Sequence, residues 1–231
     1  MLCHLVSSKC YPKFQISLTT VVFQKYVVKE KTFYTSVLNQ LKSIDEESLS
    51  EEDLLSKKVL HWECDINLKR LEFPTHLLPL NQMWTLQLTI GQLAGGSSAQ
   101  PFKTVEDYDN WLARVDDYLV WLYTAEDRMK EGIEKNVVLP KSLIKKIVPQ
   151  LASIALTDVV DHLFYGPIRQ LPASFSDEDK TRLTTAYQSM IEDKVKPAYL
   201  QLHDFMNGEY MEAGRLSSGF DAYTFASALP P

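Results

Sequence analysis

Histidines are the first residues to test for chemistry, because imidazole serves as metal ligand and as general base near neutral pH. The chain has five: His4, His61, His76, His162 and His203. No two of them stand four residues apart. The HExxH arrangement, which sets two ligands on one helix face, is therefore not present in this sequence. Asp158 and His162 do share that spacing, and such a pair either hydrogen-bonds or holds a metal together. His61-Trp62-Glu63 and Asp161-His162 place a carboxylate next to an imidazole, but neighbours on a helix diverge by about 100° and make poor ligand pairs. For nucleophilic catalysis, Cys64 has no base beside it and no GxSxG occurs. Gly91 to Gly96 lacks the lysine and the preceding strand of a phosphate cradle. Paired carboxylates such as Asp116-Asp117 and Glu126-Asp127 read as solvated helix surface. Glu126 differs, because it falls where an apolar residue is expected. A carboxylate buried there needs an Arg, Lys or hydroxyl partner, or a wet cavity.

The element that must position Glu126 is a long amphipathic helix over Thr104 to Asn136. Val105, Tyr108, Leu112, Val115, Leu119 and Leu122 recur in steps of three and four, and Met129 and Ile133 resume the pattern. Trp111, Tyr118 and Ala125 widen the seam. Thr104 and Asp107 form a capping-box pattern, and Pro101 discourages an earlier start. Upstream, a helix over about Lys29 to Ile44 places Phe33, Val37 and Leu41 on its seam. A second opens at Ser50 with a cap to Asp53, and Leu55, Val59, Trp62, Ile66 and Lys69 share one face. A short loop makes these two an antiparallel pair. Pro74 and Pro79 rule out a regular helix through FPTHLLPLNQ. Met83 to Ile90 reads as a short helix or an extended piece, and Gly95 to Ser98 as a flexible connector.

After the central helix, Pro140 suits the first turn of a further helix, and Pro149 ends or kinks it. Asp158 caps a short helix through His162, with a loop over 164–172. Ser176 and Asp179 open the last strong helix, and Pro197 predicts a kink within it. The expected fold is all-α, a bundle-like array of about six to nine helices. Its long central helix is flanked by two irregular proline-containing joints, 71–104 and 164–176. Residues 1–25 read as an atypical N-terminus with one strand-like run, Ile16 to Phe23. A helical domain covers 26–215, and 216–231 is an irregular tail.

Composition narrows the function classes. The 231 residues are 45% hydrophobic and 23% charged, ordinary for a globular chain able to bury a core. A net charge of −6 and the lack of a basic stripe argue against nucleic acid as a partner. Three cysteines without a CxxC indicate neither a disulfide framework nor a zinc knuckle. MLCHLVSSKCYPKF is a poor signal peptide, and no apolar run is long enough to span a bilayer.

Several collinear blocks carry a resemblance. FPTHLLPLNQ, PFKTVEDYDNWLARV, EGIEKNVVLPKSLIKKIVPQL and KVKPAYLQLHDFMNGEYMEAGR, with its SSGFDA continuation, resemble a bacterial family known as domain of unknown function 885. The resemblance covers roughly residues 35–222. It implies a mainly helical protein whose full-length members are longer and look like zinc peptidases of the gluzincin type, with an HExxH-like motif in the C-terminal half. On that resemblance this chain corresponds to the N-terminal half. It carries no catalytic or metal residue, zinc belongs only to full-length relatives, and a peptide is the expected partner of the complete protein. AYTFASALPP departs from the family pattern, which fits a frameshift, a gene-model error or a truncated gene. Relatives are often exported, whereas this chain shows no export signal. Compartment and oligomeric state are left open.

The matched half then builds one wall of a substrate cleft. His76, Asn81 and Gln82 lie on a non-helical backbone and are the expected lining residues, with Glu126 as a fourth. The competing reading has Asn81 and Gln82 satisfying loop backbone groups. In a half-enzyme, some of Trp111, Tyr118 and Trp121 are expected to be exposed. The alternative to a half-enzyme is a self-sufficient helical binding or scaffold protein. A hydrolase acting through residues in this chain is a third, weaker reading.

Overall fold

The computed structural model describes residues 24–217. The strand-like run, the first 23 residues and the tail from 218 onward lie outside the described residues. Within them the chain is all-α. Eight helices follow in order: α1 Gln24–Lys42, α2 Glu51–Arg70, α3 Leu86–Ala94, α4 Val105–Glu134, α5 Lys141–Leu156, α6 Asp177–Ser189, α7 Lys196–Asn207 and α8 Glu209–Ala213. Short 3-10 turns connect them, and a π-helical turn, Met190–Val195, joins α6 to α7. The contacts fall into two compact units that part between Thr75 and His76.

The first unit is the α1–α2 hairpin. Ser50 caps α2 by accepting the Asp53 amide at 3.1 Å, and three carboxylates fill the first turn. Arg70, at the end of α2, reaches Glu30 on α1 at 3.3 Å, so the helices run antiparallel. Their packed faces differ from the sequence expectation. Phe33 is 60% exposed, whereas Leu41 is buried. Leu55, Val59, Trp62 and Ile66 are exposed, and the buried positions of α2 are Lys57 and Cys64. Lys57 tolerates burial because its ammonium meets the Ile44 carbonyl at 2.8 Å and Glu46 at 2.9 Å.

In the second unit α4 is the organising element. Its capping box is complete: Thr104 Oγ1 accepts the Asp107 amide, and Asp107 Oδ2 accepts the Thr104 amide. Asn136, with φ of 57°, ends the helix in the left-handed conformation that asparagine adopts readily. Tyr108, Trp111, Val115, Tyr118, Leu119, Trp121, Leu122, Ala125 and Met129 are all buried. The expected exposure of some of Trp111, Tyr118 and Trp121 is thus corrected, because α6, α7 and α8 close over this helix. Pro149 does not end α5, which continues to Leu156. The expected kink at Pro197 takes the form of the π turn just before it. Proline offers no amide to the carbonyl one turn back, and the widened turn absorbs that loss, with the Lys196 amide bonding Ile191 five residues back.

Candidate functional site

The irregular joint after His76 is pinned to the second unit by Leu77 and Leu80, both fully buried. Gly132 on α4 permits the approach. A Cβ at that position would meet the Val137 carbonyl oxygen at 2.7 Å and the Leu77 carbonyl oxygen at 3.3 Å.

Asn81 organises the joint. Its side-chain Oδ1 accepts the amides of Met83 (2.8 Å) and Trp84 (3.0 Å), forming an Asx turn. Its carbonyl accepts from Thr85 Oγ1 at 3.1 Å and from Gln87 Nε2 at 2.8 Å. The carbonyl of Gln82 accepts from Gln150 on α5 at 3.2 Å. The turn presents Met83 and Trp84 to solvent, 66% and 76% exposed. The backbone here is therefore rigidly held while two large apolar side chains point outward.

His76 is partly buried beside the α4 face that carries Arg128, Glu131 and Lys135. Burial lowers its pKa and the nearby Glu131 carboxylate opposes that shift. Glu131 itself bridges Arg128 and Lys135, both at 2.6 Å, and these cations hold its carboxyl below the usual range. Glu126 lies elsewhere. Five residues before Glu131, it points about 140° away around the helix. Its two oxygens bond Lys130 Nζ (2.7 Å) and Gln201 Nε2 of α7 (3.0 Å), and Lys130 rests over the Phe205 ring. The structure thus brings His76, Asn81 and Gln82 to one joint and sets Glu126 apart from His76, in a bonded position between α4 and α7.

His162 does not end a short helix with Asp158. The segment after Leu156 is a turn, and His162 caps the 3-10 turn Leu163–Tyr165. Nδ1 accepts the Phe164 amide at 3.2 Å and Nε2 faces the Ile154 carbonyl at 3.0 Å. A carbonyl only accepts, so Nε2 carries the proton and the ring is neutral. Burial pushes its pKa down.

Sequence reasoning missed the buried tyrosines that tie the unit together. Tyr199 donates to the Gln87 carbonyl at 3.1 Å, so Tyr118, at 2.7 Å, donates to Tyr199. Tyr187 donates to the Tyr108 carbonyl, Tyr108 to that of Pro167, and Tyr210 accepts the Leu139 amide. Burial raises these phenols, Tyr210 to about 12. All are protonated at neutral pH and none is poised as a base. Their signal was present as Tyr108 and Tyr118 on the α4 seam, where a hydroxyl at the end of an apolar ring needs a partner.

Among the described residues no three His, Cys, Asp or Glu side chains stand close enough to hold a metal ion. No helix among them is long and apolar enough to cross a membrane.

A family model described as "Bacterial protein of unknown function (DUF885)" matches residues 18–229. No curated protein and no solved structure matches the chain.

Proposed function

This chain belongs to the bacterial family of unknown function DUF885, and from that membership we propose that it is a non-catalytic helical portion of a zinc-peptidase-like protein. In this reading it supplies one wall of a peptide-binding cleft, and the zinc ligands and catalytic groups lie outside residues 1–231. One observation carries the reading. Among the described residues the buried ionisable side chains of the second unit are spent on structure, while the Asn81 turn holds exposed apolar side chains on a fixed backbone. Glu126 is bonded to Lys130 and Gln201, and His162 is bonded to two backbone groups. Met83 and Trp84 offer apolar surface to a peptide side chain, and His76 and Gln82 offer polar groups for its backbone.

Two measurements test it. The purified chain, given zinc and a mixed peptide library, is expected to show no turnover. Reproducible, chelator-sensitive cleavage would overturn the proposal. The nucleotide sequence beyond the Pro231 codon is expected to encode an HExxH motif in one of its frames, and a region without any such remnant counts against it.

A further inference from the structure

Helix α2 is apolar on two opposite sides, and α1 covers one of them. Lys57 and Cys64 mark the covered side. Leu55, Val59, Trp62 and Ile66 mark the other, and they are 62%, 56%, 61% and 44% exposed. Their spacing is four, three, four, the heptad seam of a paired helix, with Val59 and Ile66 at a positions and Leu55 and Trp62 at d positions. Extending the same register by one step each way adds Glu52 at an a position and Lys69 at a d position. The full seam is Glu52, Leu55, Val59, Trp62, Ile66, Lys69.

We propose that this face is a self-association surface, on which two copies of the chain pair their α2 helices antiparallel about a two-fold axis. Antiparallel coiled helices set a positions against d positions. Turning the seam on itself then sets Glu52 on Lys69 of the second copy, Leu55 on its Ile66 and Val59 on its Trp62. Every layer is apolar on apolar or acid on base. A parallel pair would set Glu52 on Glu52 and Lys69 on Lys69. The flanks agree, since Lys58 and Asp65 both occupy g positions, which face one another in the antiparallel pair. The helix ends agree too. α2 opens with Glu51, Glu52 and Asp53 and closes with Lys69 and Arg70. Antiparallel pairing lays each acidic first turn beside a basic last turn, and opposes the helix dipoles favourably. Lys69 is at present bonded only at the surface, to Asp65 one turn back, and remains within reach of a partner. The charge pattern commits the occupant to a second copy, because the seam is complementary to its own reversal.

The test is the oligomeric state of the full chain by sedimentation equilibrium, with helix content followed by circular dichroism. A dimer is expected. Val59→Lys and Trp62→Glu, each made alone at an exposed position, are expected to raise its dissociation constant about ten-fold or more with helix content unchanged. Val120→Lys, on an exposed part of α4, is expected to leave it unchanged. Glu52→Lys should weaken the dimer and Glu52→Lys with Lys69→Glu should restore it, a rescue that parallel pairing does not give. A monomeric wild-type chain would overturn the proposal and leave the stripe to a different partner. A dimer indifferent to Val59→Lys and Trp62→Glu, association that does not stop at two, or a charge exchange without rescue would overturn it as well.

Discussion

At the scale of single residues, the chain is most informative where a polar group sits among apolar ones. Glu126 stood out in the sequence because an apolar seam leaves no other place for comment. What the sequence could not supply was its partner, since Gln201 lies 75 positions away and only folding brings it to 3.0 Å. Asn81 was legible in kind, a loop asparagine, but the turn it makes depends on Thr85 and Gln87 closing around its carbonyl. Its spacing makes His162 a helical neighbour of Asp158, and the structure spends it instead on two backbone groups. That placement has a pH consequence. Its folded pKa is lowered by burial, so the unfolded chain binds the proton more tightly, and stability rises with pH wherever the two states differ. The contribution is fully present above the ordinary histidine value, about 6.5, and is lost as pH falls through the lower folded value. His76, also lowered by burial, acts in the same direction. The melting temperature is expected to fall between pH 7.5 and pH 5, and His162→Gln to flatten part of that dependence. A variant whose melting profile keeps the full slope would show that His162 does not carry it.

Helices were legible wherever one apolar stripe met a capping signal. The boundaries of α2 and α4 follow from Ser50 and Thr104 almost to the residue, because the cap geometry is local. Faces were less legible. In α2 the sequence offers two stripes, and periodicity alone does not say which one α1 covers. Burial of Lys57 decides it, and that depends on the Ile44 carbonyl and Glu46 arriving from the preceding loop. At Pro197 the sequence likewise predicts only a kink, since it shows the missing amide but not the π turn by which the backbone absorbs it. Gly132 gives the sharpest prediction at this scale. In an isolated helix Gly→Ala is worth about 1 kcal/mol of stabilisation. Here the added methyl would meet two backbone carbonyls, neither of which can rotate away. Gly132→Ala is therefore expected to destabilise the second unit by about 1–3 kcal/mol, the usual cost of overpacking. Denaturant unfolding measures it, and an increase in stability would show that the joint at Leu77 gives way freely.

At the scale of the whole molecule, the fold class was readable throughout, since low glycine content, capping signals and helical periodicity agree along the described chain. The division into two units was less visible, because the proline-containing joint near residue 75 reads equally well as a loop within one domain. The two units differ in what holds them. Among the described residues of the hairpin only Leu41, Lys57 and Cys64 are buried, whereas α4 alone buries eight large apolar or aromatic side chains together with Ala125, Glu126 and Gly132. Helices of this length gain most of their stability from packing an apolar face, so a hairpin with so little core opens locally at low cost. Amide hydrogen exchange of the full chain, followed by mass spectrometry at low protein concentration, is expected to show α1 and α2 exchanging well before α4 and α7. The outward face of α2 adds a second expectation, because a dimer that covers the Leu55 to Ile66 stripe protects only when it forms. Protection of α2 should rise with protein concentration while that of α4 stays constant. Hairpin amides as slow as those of α4 at every concentration would mean that the first unit draws its stability from something other than its own core or a second copy.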